Sequence, residues 1–305
     1  MRTFQEDSVL QAHMKDDSTL GPDNPAHASG PRGHARSPGR SGGFRAILLL
    51  AASFAIVAAV YAVWITPAAE ATDLRNRMEA AQQADEAFVP ERNIPTILRN
   101  FEQQVCLSLF VWALALMVGK FAELRRERVD LRWPFEDMEA GERILPGTAL
   151  ETAKRCETAA EAAGAGAALI TRAVSRALHR FHSTASVQET SHAVQELADA
   201  ESNRLDSEMA VIRYTAWAIP SIGFIGTVRG IGEALMRADQ AIQGDVSGVT
   251  NALGLAFNST FVALLLSIFL MLGVYTLQRQ QEAHVQSVET FCRDKLIEIM
   301  KAPAA

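Results

Sequence analysis

The sequence predicts an all-α integral membrane protein, with four transmembrane helices and long cytoplasmic helical extensions. The mean hydropathy of the 305 residues is near zero, which on its own suits a soluble protein. However, the charged residues are strongly segregated, and the segments between the apolar stretches are rich in strong helix formers. Four stretches carry no charge at all: Ala46–Ala69, Gln103–Gly119, Tyr214–Val228 and Val246–Gln278.

The length of each stretch decides how it crosses the bilayer, whose core requires about 20 apolar helical residues. The first and fourth stretches are long enough, and we assign them to spans at 44–66 and 250–278. The second, at 105–122, ends at a lysine whose ammonium group can reach the interface.

The third span, at 210–236, extends the uncharged stretch Tyr214–Val228 to full length by including Arg229 and Glu233 beyond its end. They lie four residues apart, and therefore on one face of a helix. Charged groups inside a membrane are usually paired with each other. We therefore predict that Arg229 and Glu233 form an ion pair at the membrane interface.

Residues 1–43 are rich in glycine, proline, serine, histidine and charge, as in the run from Gly30 to Arg36. Such a segment cannot bury enough apolar surface to offset its chain entropy. We predict a disordered cytoplasmic tail that is solvated. Contact between its arginines and anionic lipid is the alternative.

The basic residues that flank the first two spans predict the orientation of the chain, because such residues remain on the cytoplasmic side. Arginines precede the first span, and Lys120 with three arginines follows the second. Residues 67–104 carry mostly acids, which suits an outer, periplasmic segment. Four spans then leave both termini in the cytoplasm and a short outer turn near Asp239–Gly248, where glycines favour a turn.

Two segments outside the membrane read as helical. Within residues 123–209, a linker with prolines is followed by an alanine-rich helix over Thr148–His182 and a second helix over Val187–Met209. Nothing interrupts the second helix before the third span, so we expect one long rod. Residues 279–305 predict an amphipathic helix. The residues on its apolar face are Val285, Val288, Phe291, Cys292, Leu296 and Ile299.

The third span combines a helix breaker with small residues. Pro220 lacks a backbone donor and frees the carbonyl one turn earlier, which lipid tolerates only where protein or water satisfies that carbonyl. Gly226 and Gly230 form a pair that allows another helix to approach closely, and Gly223 extends the same side. Thr227 lies on the stripe that Pro220 marks, so its hydroxyl faces the same way.

The fourth span contains the polar run Asn258–Thr260 within an otherwise apolar sequence. Ser267 lies two turns beyond Thr260, on nearly the same side of the helix. Hydroxyls at this spacing suit the lining of a wet ion pathway. Alternatively, they bond to their own backbone or hold helices together. The pattern alone leaves both interpretations open.

Other chemistry has little support in the sequence. His179, His182 and His192 have no further ligand at metal-binding spacing, and the glycines of the third span lie within a membrane helix and not after a strand. The three cysteines are scattered, and we interpret them as reduced and incidental. We therefore expect no catalytic residue, metal or cofactor, and the mildly acidic balance gives no basis for a nucleic-acid partner.

Two runs of residues carry a resemblance to a known family. The third span contains Gly226, Thr227, Val228, Gly230 and Ile231, and the fourth contains the run Ala256–Leu264. Together they resemble the MotA/TolQ/ExbB proton-channel family over Ala218 to Leu272. The predicted topology, with a large inner segment between the second and third spans, is similar to the flagellar-stator branch.

The resemblance implies an ion-channel motor subunit of the bacterial inner membrane. In the family, a homo-oligomeric ring, a pentamer, surrounds a dimer of a single-span MotB/ExbD/TolR-like partner whose membrane helix carries an aspartate. The resemblance places Thr227 and Thr260 on the ring interior, and we add Ser267 to this ion pathway. Such a subunit would use proton-motive force to drive mechanical work in its partner.

Two positions depart from the family pattern. Leu255 stands about one turn before Thr260, where the ExbB-like branch has a glutamate, so no carboxylate relay is carried over. Arg229 stands where relatives are usually apolar or aromatic, and we interpret it as an interfacial anchor; the alternative is a pore cation, which would repel protons. The alternative function, from a different class, is a membrane signalling or scaffold protein, in which residues 67–104 sense an outer signal and the inner helices relay it.

Overall fold

The structure is a computed structural model that describes residues 40–82, 93–129, 143–162, 168–244 and 246–301. In these ranges the chain is all-α, and four of its helices are long and apolar enough to cross a membrane. The predicted fold class is therefore confirmed. Residues 1–39 of the predicted tail lie outside the described ranges.

The described ranges contain nine α-helices, named here in chain order. They are α1 (Arg40–Val60), α2 (Thr66–Gln82), α3 (Ile94–Ile97), α4 (Phe101–Val129), α5 (Pro146–Ala162), α6 (Leu169–Thr184), α7 (Val187–Met236), α8 (Ala238–Ile242) and α9 (Ser247–Phe291). Single π-helical stretches, Tyr61–Ile65 and Cys292–Ile297, join α1 to α2 and extend α9.

The first span is part of a helix that is longer than predicted. Helical structure runs without a break from Arg40 to Gln82, so it includes residues 40–43 of the predicted tail and continues into the predicted periplasmic segment. The π-helical stretch lies just before Pro67, which supplies no backbone donor. The indole N–H of Trp112 on α4 donates to the carbonyl of Ala46, at 2.9 Å, and so ties α1 to α4.

The predicted rod is confirmed. Helix α7 has 50 residues and begins at Val187, where the backbone N–H of Glu189 donates to the hydroxyl of Ser186. At 1.5 Å per residue this helix is about 75 Å long, more than twice the thickness of the bilayer core. Helix α9 is similarly long, with 45 residues. Both helices therefore connect a membrane core to an extension outside it.

In the membrane core, α4 packs against the paired helices α7 and α9. The buried apolar residues that these three helices contribute to the membrane core are Cys106, Ala113, Met117, Leu124, Met209, Ile212, Ala216, Ile219, Ala263, Leu270, Val274 and Leu277. We call the end of this core near α8 the hairpin end, because α7 and α9 are joined there. The start of α4 also lies at the hairpin end, where Asn100 contacts α9 and Glu102 contacts α7.

The extension is a second core, made of α5, α6, the first part of α7 and the last part of α9. The apolar face predicted for residues 279–305 is buried here, with Val285, Val288 and Leu296 at its centre. The predicted helix over Thr148–His182 is two helices, since α5 ends at Ala162 and α6 begins at Leu169. The backbone N–H of Ile144 donates to the carbonyl oxygen of Ile299, and the N–H of Lys301 donates to the carbonyl oxygen of Ile144, which joins the two ends of this core.

The three cysteines are free and buried. Cys106 lies in the membrane core, and Cys156 and Cys292 lie in the extension core. Burial raises the pKa of the Cys156 thiol above its ordinary value. None of the three forms a disulfide, which agrees with the prediction that they are reduced.

Candidate functional site

The hydroxyls of Thr227 on α7 and Thr260 on α9 are in direct contact across the interface of the two helices. Thr260 Oγ1 also lies 3.1 Å from the carbonyl oxygen of Gly223, to which it can donate. Thr227 Oγ1 lies 3.4 Å from the carbonyl oxygen of Ala256. Both side chains are only half-buried. The structure thus brings together the two threonines that the sequence singled out.

Small residues allow the two helices to approach this closely. A Cβ on Gly230 would lie 2.5 Å from the Cβ of Ala256, and one on Gly223 would collide with Ala263. A Cβ on Gly226 would lie 2.8 Å from the Cβ of Ser259. The helix that approaches the three glycines is therefore α9 of the same chain. Without this spacing the threonine hydroxyls would be too far apart to touch.

The carbonyl that Pro220 frees has a partner. Ser267 Oγ on α9 donates to the carbonyl oxygen of Ala216, four residues before the proline, at 2.9 Å. Protein therefore satisfies this group, as lipid surroundings require. Ser267 was predicted as part of the ion pathway, and that assignment remains a prediction. The structure gives its hydroxyl a bond between two helices that the sequence pattern did not identify.

Arg229 has a different partner from the predicted one. Its Nε lies 2.7 Å from Oε1 of Glu102, and its Nη2 lies 2.9 Å from Oε2 of the same carboxylate. The predicted pairing with Glu233 is thus corrected to a two-point ion pair with Glu102. The physical reason is that the start of α4 packs beside Gly226 of α7. Glu102 on α4 is therefore within reach of Arg229 on α7.

Glu102 and Asn100 are residues that the sequence did not single out. The Glu102 side chain is only 10 % exposed, although its neighbours in sequence belong to the acidic segment 67–104. Asn100 Nδ2 donates to Ser259 Oγ at 3.3 Å and lies 3.5 Å from the carbonyl oxygen of Leu255. The only available signal was the position of Glu102 directly before an uncharged stretch, which does not reveal its partner.

Two of the three histidines that the sequence singled out, His179 and His182, contact a neighbouring helix. His182 Nδ1 lies 2.7 Å from the carbonyl oxygen of Pro146, and His179 Nε2 lies 3.8 Å from the carboxylate of Glu157. His284, which the sequence did not single out, is buried with its Nε2 3.2 Å from the carboxylate of Glu127. These contacts connect helices within the extension and at its boundary with α4.

The threonine pair can do limited chemistry. A hydroxyl both donates and accepts hydrogen bonds, so two of them can solvate a proton or a water molecule. Neither can hold a proton at neutral pH, as a carboxylate or an imidazole does. The neighbouring carboxylate of Glu102 is already engaged by Arg229. The arrangement therefore suits a polar lining of a pathway, and not an ion-binding site that is complete in itself.

Comparison with known proteins agrees with this geometry. Residues 164–290 match the MotA/TolQ/ExbB proton channel family. The match contains both threonines, the three glycines and Pro220, and it extends beyond the predicted resemblance to all of α6 and α7. No curated protein and no solved structure matches the chain. The predicted resemblance to the MotA/TolQ/ExbB proton channel family is therefore confirmed over residues 164–290.

Proposed function

We propose that the chain is an ion-channel subunit, most simply for protons, that converts proton-motive force into mechanical work through a single-span partner. The observation that carries the proposal is the contact between the Thr227 and Thr260 hydroxyls. They lie between two membrane helices of the matched range. Polar side chains are rare inside membranes and often mark a functional site. The energy is sufficient for work, since one charge that crosses the membrane releases about 2.3 kcal/mol per 100 mV.

The proposal divides the chemistry between two proteins. The threonine hydroxyls solvate the proton or its water, and a carboxylate on the partner accepts and releases the proton. We infer a partner with one membrane helix and a membrane aspartate, present as a dimer within a ring of five copies of this chain. The half-exposure of both threonines leaves them accessible to such a helix.

The proposal also assigns a place and an orientation. The chain lies in the inner membrane of a bacterium with both termini in the cytoplasm, residues 67–104 outside and the extension inside. Helix α7 then links Thr227 to the extension without any break. A change in the packing around the threonine pair can therefore be transmitted along one helix to the cytoplasmic core.

Proton flux through the complete complex tests this function. The chain is purified from native membranes together with its retained partner and reconstituted into vesicles with a pH-sensitive dye. In the Thr227→Val, Thr260→Val double mutant, we expect flux to fall at least about tenfold, which corresponds to about 1.4 kcal/mol in the barrier. Valine keeps the shape of threonine, so assembly with the partner should persist, which mass measurement of the complex verifies.

The control is Thr276→Val. This hydroxyl is exposed on α9 and donates to the Leu272 carbonyl of its own helix, so its loss should leave flux unchanged. Undiminished flux in the threonine double mutant would contradict the proposed pathway. If the chain also carries no partner and no flux of its own, the signalling or scaffold alternative is favoured.

A further inference from the structure

We propose that the Glu102–Arg229 ion pair is a positioning element of the ion pathway. It clamps the start of α4 onto the hairpin end and so holds the Thr227 and Thr260 hydroxyls in contact. The inference rests on the proposed function for its consequence, but its structural content concerns only the spacing of α7 and α9. It adds Glu102, Arg229 and Asn100 to the residues on which the pathway depends.

The guanidinium of Arg229 and the carboxylate of Glu102 meet at two points. Two separate contacts, 2.7 Å and 2.9 Å, join one guanidinium to both oxygens of one carboxylate. Such a two-point arrangement restricts orientation as well as distance. Because the Glu102 side chain is only 10 % exposed, little water is available to compensate its charge. The carboxylate therefore depends on Arg229, and the two helices that carry them are held together.

The side chain of Glu102 covers Gly226 on α7. A Cβ on Gly226 would lie 3.3 Å from Cγ of Glu102 and 2.8 Å from Cβ of Ser259. Gly226 is thus enclosed by α4 on one side and by α9 on the other. It directly precedes Thr227, so the position of Glu102 limits where the backbone at the threonine can move.

Asn100 makes a similar contact with the other helix, α9. Asn100, two residues before Glu102, donates to the hydroxyl of Ser259, which directly precedes Thr260. The start of α4 therefore contacts the residue before each threonine, one on α7 and one on α9. A single short segment holds both helices at the height of the threonine pair, and that is the arrangement expected of a positioning element.

Disulfide trapping tests the inference without reference to ion flux. The reporter chain carries T227C and T260C, is assembled with its partner in native membranes, and is treated with a mild oxidant. The rate of the 227–260 cross-link is followed by peptide mass. Glu102→Gln should slow this cross-link by at least about twofold, the lower end of the range that coupling between contacting residues gives. Glu233→Gln, which neutralises the residue first expected to pair with Arg229, should leave the rate unchanged.

A second reporter separates positioning from general loosening. A216C with S267C joins the same two helices near Pro220, away from the contacts that Asn100 and Glu102 make, and its cross-linking should not respond to Glu102→Gln. The native Cys106, whose sulfur lies 3.5 Å from the carbonyl oxygen of Ile219, is replaced by alanine in both reporters so that it does not compete. Equal slowing of both reporters, or no slowing of either, would overturn the inference. If Glu102→Gln does not assemble, Arg229→Lys, which keeps the charge but not the two-point contact, is read in the same way.

The reversed pair supplies the rescue. Combining E102R with R229E should restore the trapping rate that either change alone reduces. The proposed ion pathway and the proposed clamp can each be contradicted without the other. If flux persists in the threonine double mutant while Glu102→Gln slows trapping, the pathway is wrong and the clamp stands. If flux is lost but trapping is insensitive to Glu102, the pathway stands and the clamp is wrong.

Discussion

The Ser267 hydroxyl on α9 donates to the carbonyl oxygen of Ala216 on α7, at 2.9 Å, which is the carbonyl that Pro220 leaves without a helical donor. The proline and the serine belong to different helices, yet one compensates the other. Without Ser267, this carbonyl would face an apolar interior unsatisfied.

Ser267→Ala should therefore destabilise the folded chain by about 1 kcal/mol. In a Pro220→Ala background the cost should be smaller, since alanine restores the backbone donor within α7. Unfolding in detergent, arranged as a double-mutant cycle, measures both values. Ser221→Ala is the control, because that hydroxyl bonds within its own helix to Trp217. Equal costs in the two backgrounds would show that the serine does not serve the proline.

The two glycines Gly230 and Gly232 should respond in opposite ways to alanine. A Cβ at Gly230 would meet Ala256 at 2.5 Å, while a Cβ at Gly232 meets nothing within 4 Å in the chain. Gly230→Ala should cost about 1–3 kcal/mol by forcing the helices apart. Gly232→Ala should be neutral or slightly stabilising, because alanine is the better helix former by up to about 1 kcal/mol. Thermal stability of the two variants, measured side by side, checks the contrast.

Serine should replace either threonine of the pathway better than valine does. Thr227→Ser and Thr260→Ser keep the hydroxyl and lose only a methyl group, so most of the proton flux should remain. Valine keeps the shape but leaves an apolar wall beside a charge, at a cost of several kcal/mol. The vesicle assay with single substitutions measures the difference. If serine and valine variants conduct equally, the hydroxyl is not what the pathway uses.

Glu201 should be the most sensitive acidic residue of the extension. Its side chain is 5 % exposed and bonds to Arg172 of α6 at 3.0 Å, and its other oxygen bonds to Arg204 at 3.1 Å. Glu201→Ala removes the shared partner of two arginines whose side chains are 39 % and 48 % exposed, so water screens the charges left behind and the cost should be about 1–2 kcal/mol. Glu196→Ala, at an exposed position on the same helix, should change stability by less than about 0.5 kcal/mol. Proteolysis of the extension in membranes compares the two.

The sequence by itself determined the membrane character and the helical layout of the chain. Segregation of charge located four spans, and uninterrupted helix formers from Val187 predicted the rod that α7 forms. These properties depend on residues near one another in sequence, because a helix satisfies its own backbone wherever it lies. The polar residues of the third and fourth spans carried the family resemblance, and Thr227 and Thr260 do meet in the structure.

Only the tertiary structure decided which polar groups are partners. Arg229 was expected to pair with Glu233 on its own helix, but it pairs with Glu102, 127 positions earlier in the chain. Likewise, the donor for the carbonyl freed by Pro220 is Ser267, on the neighbouring helix. A sequence pattern shows which side of a helix a residue occupies and not which helix packs there. The close approach of α7 and α9 and the position of α4's first turn set these pairs, and both arise from long-range packing.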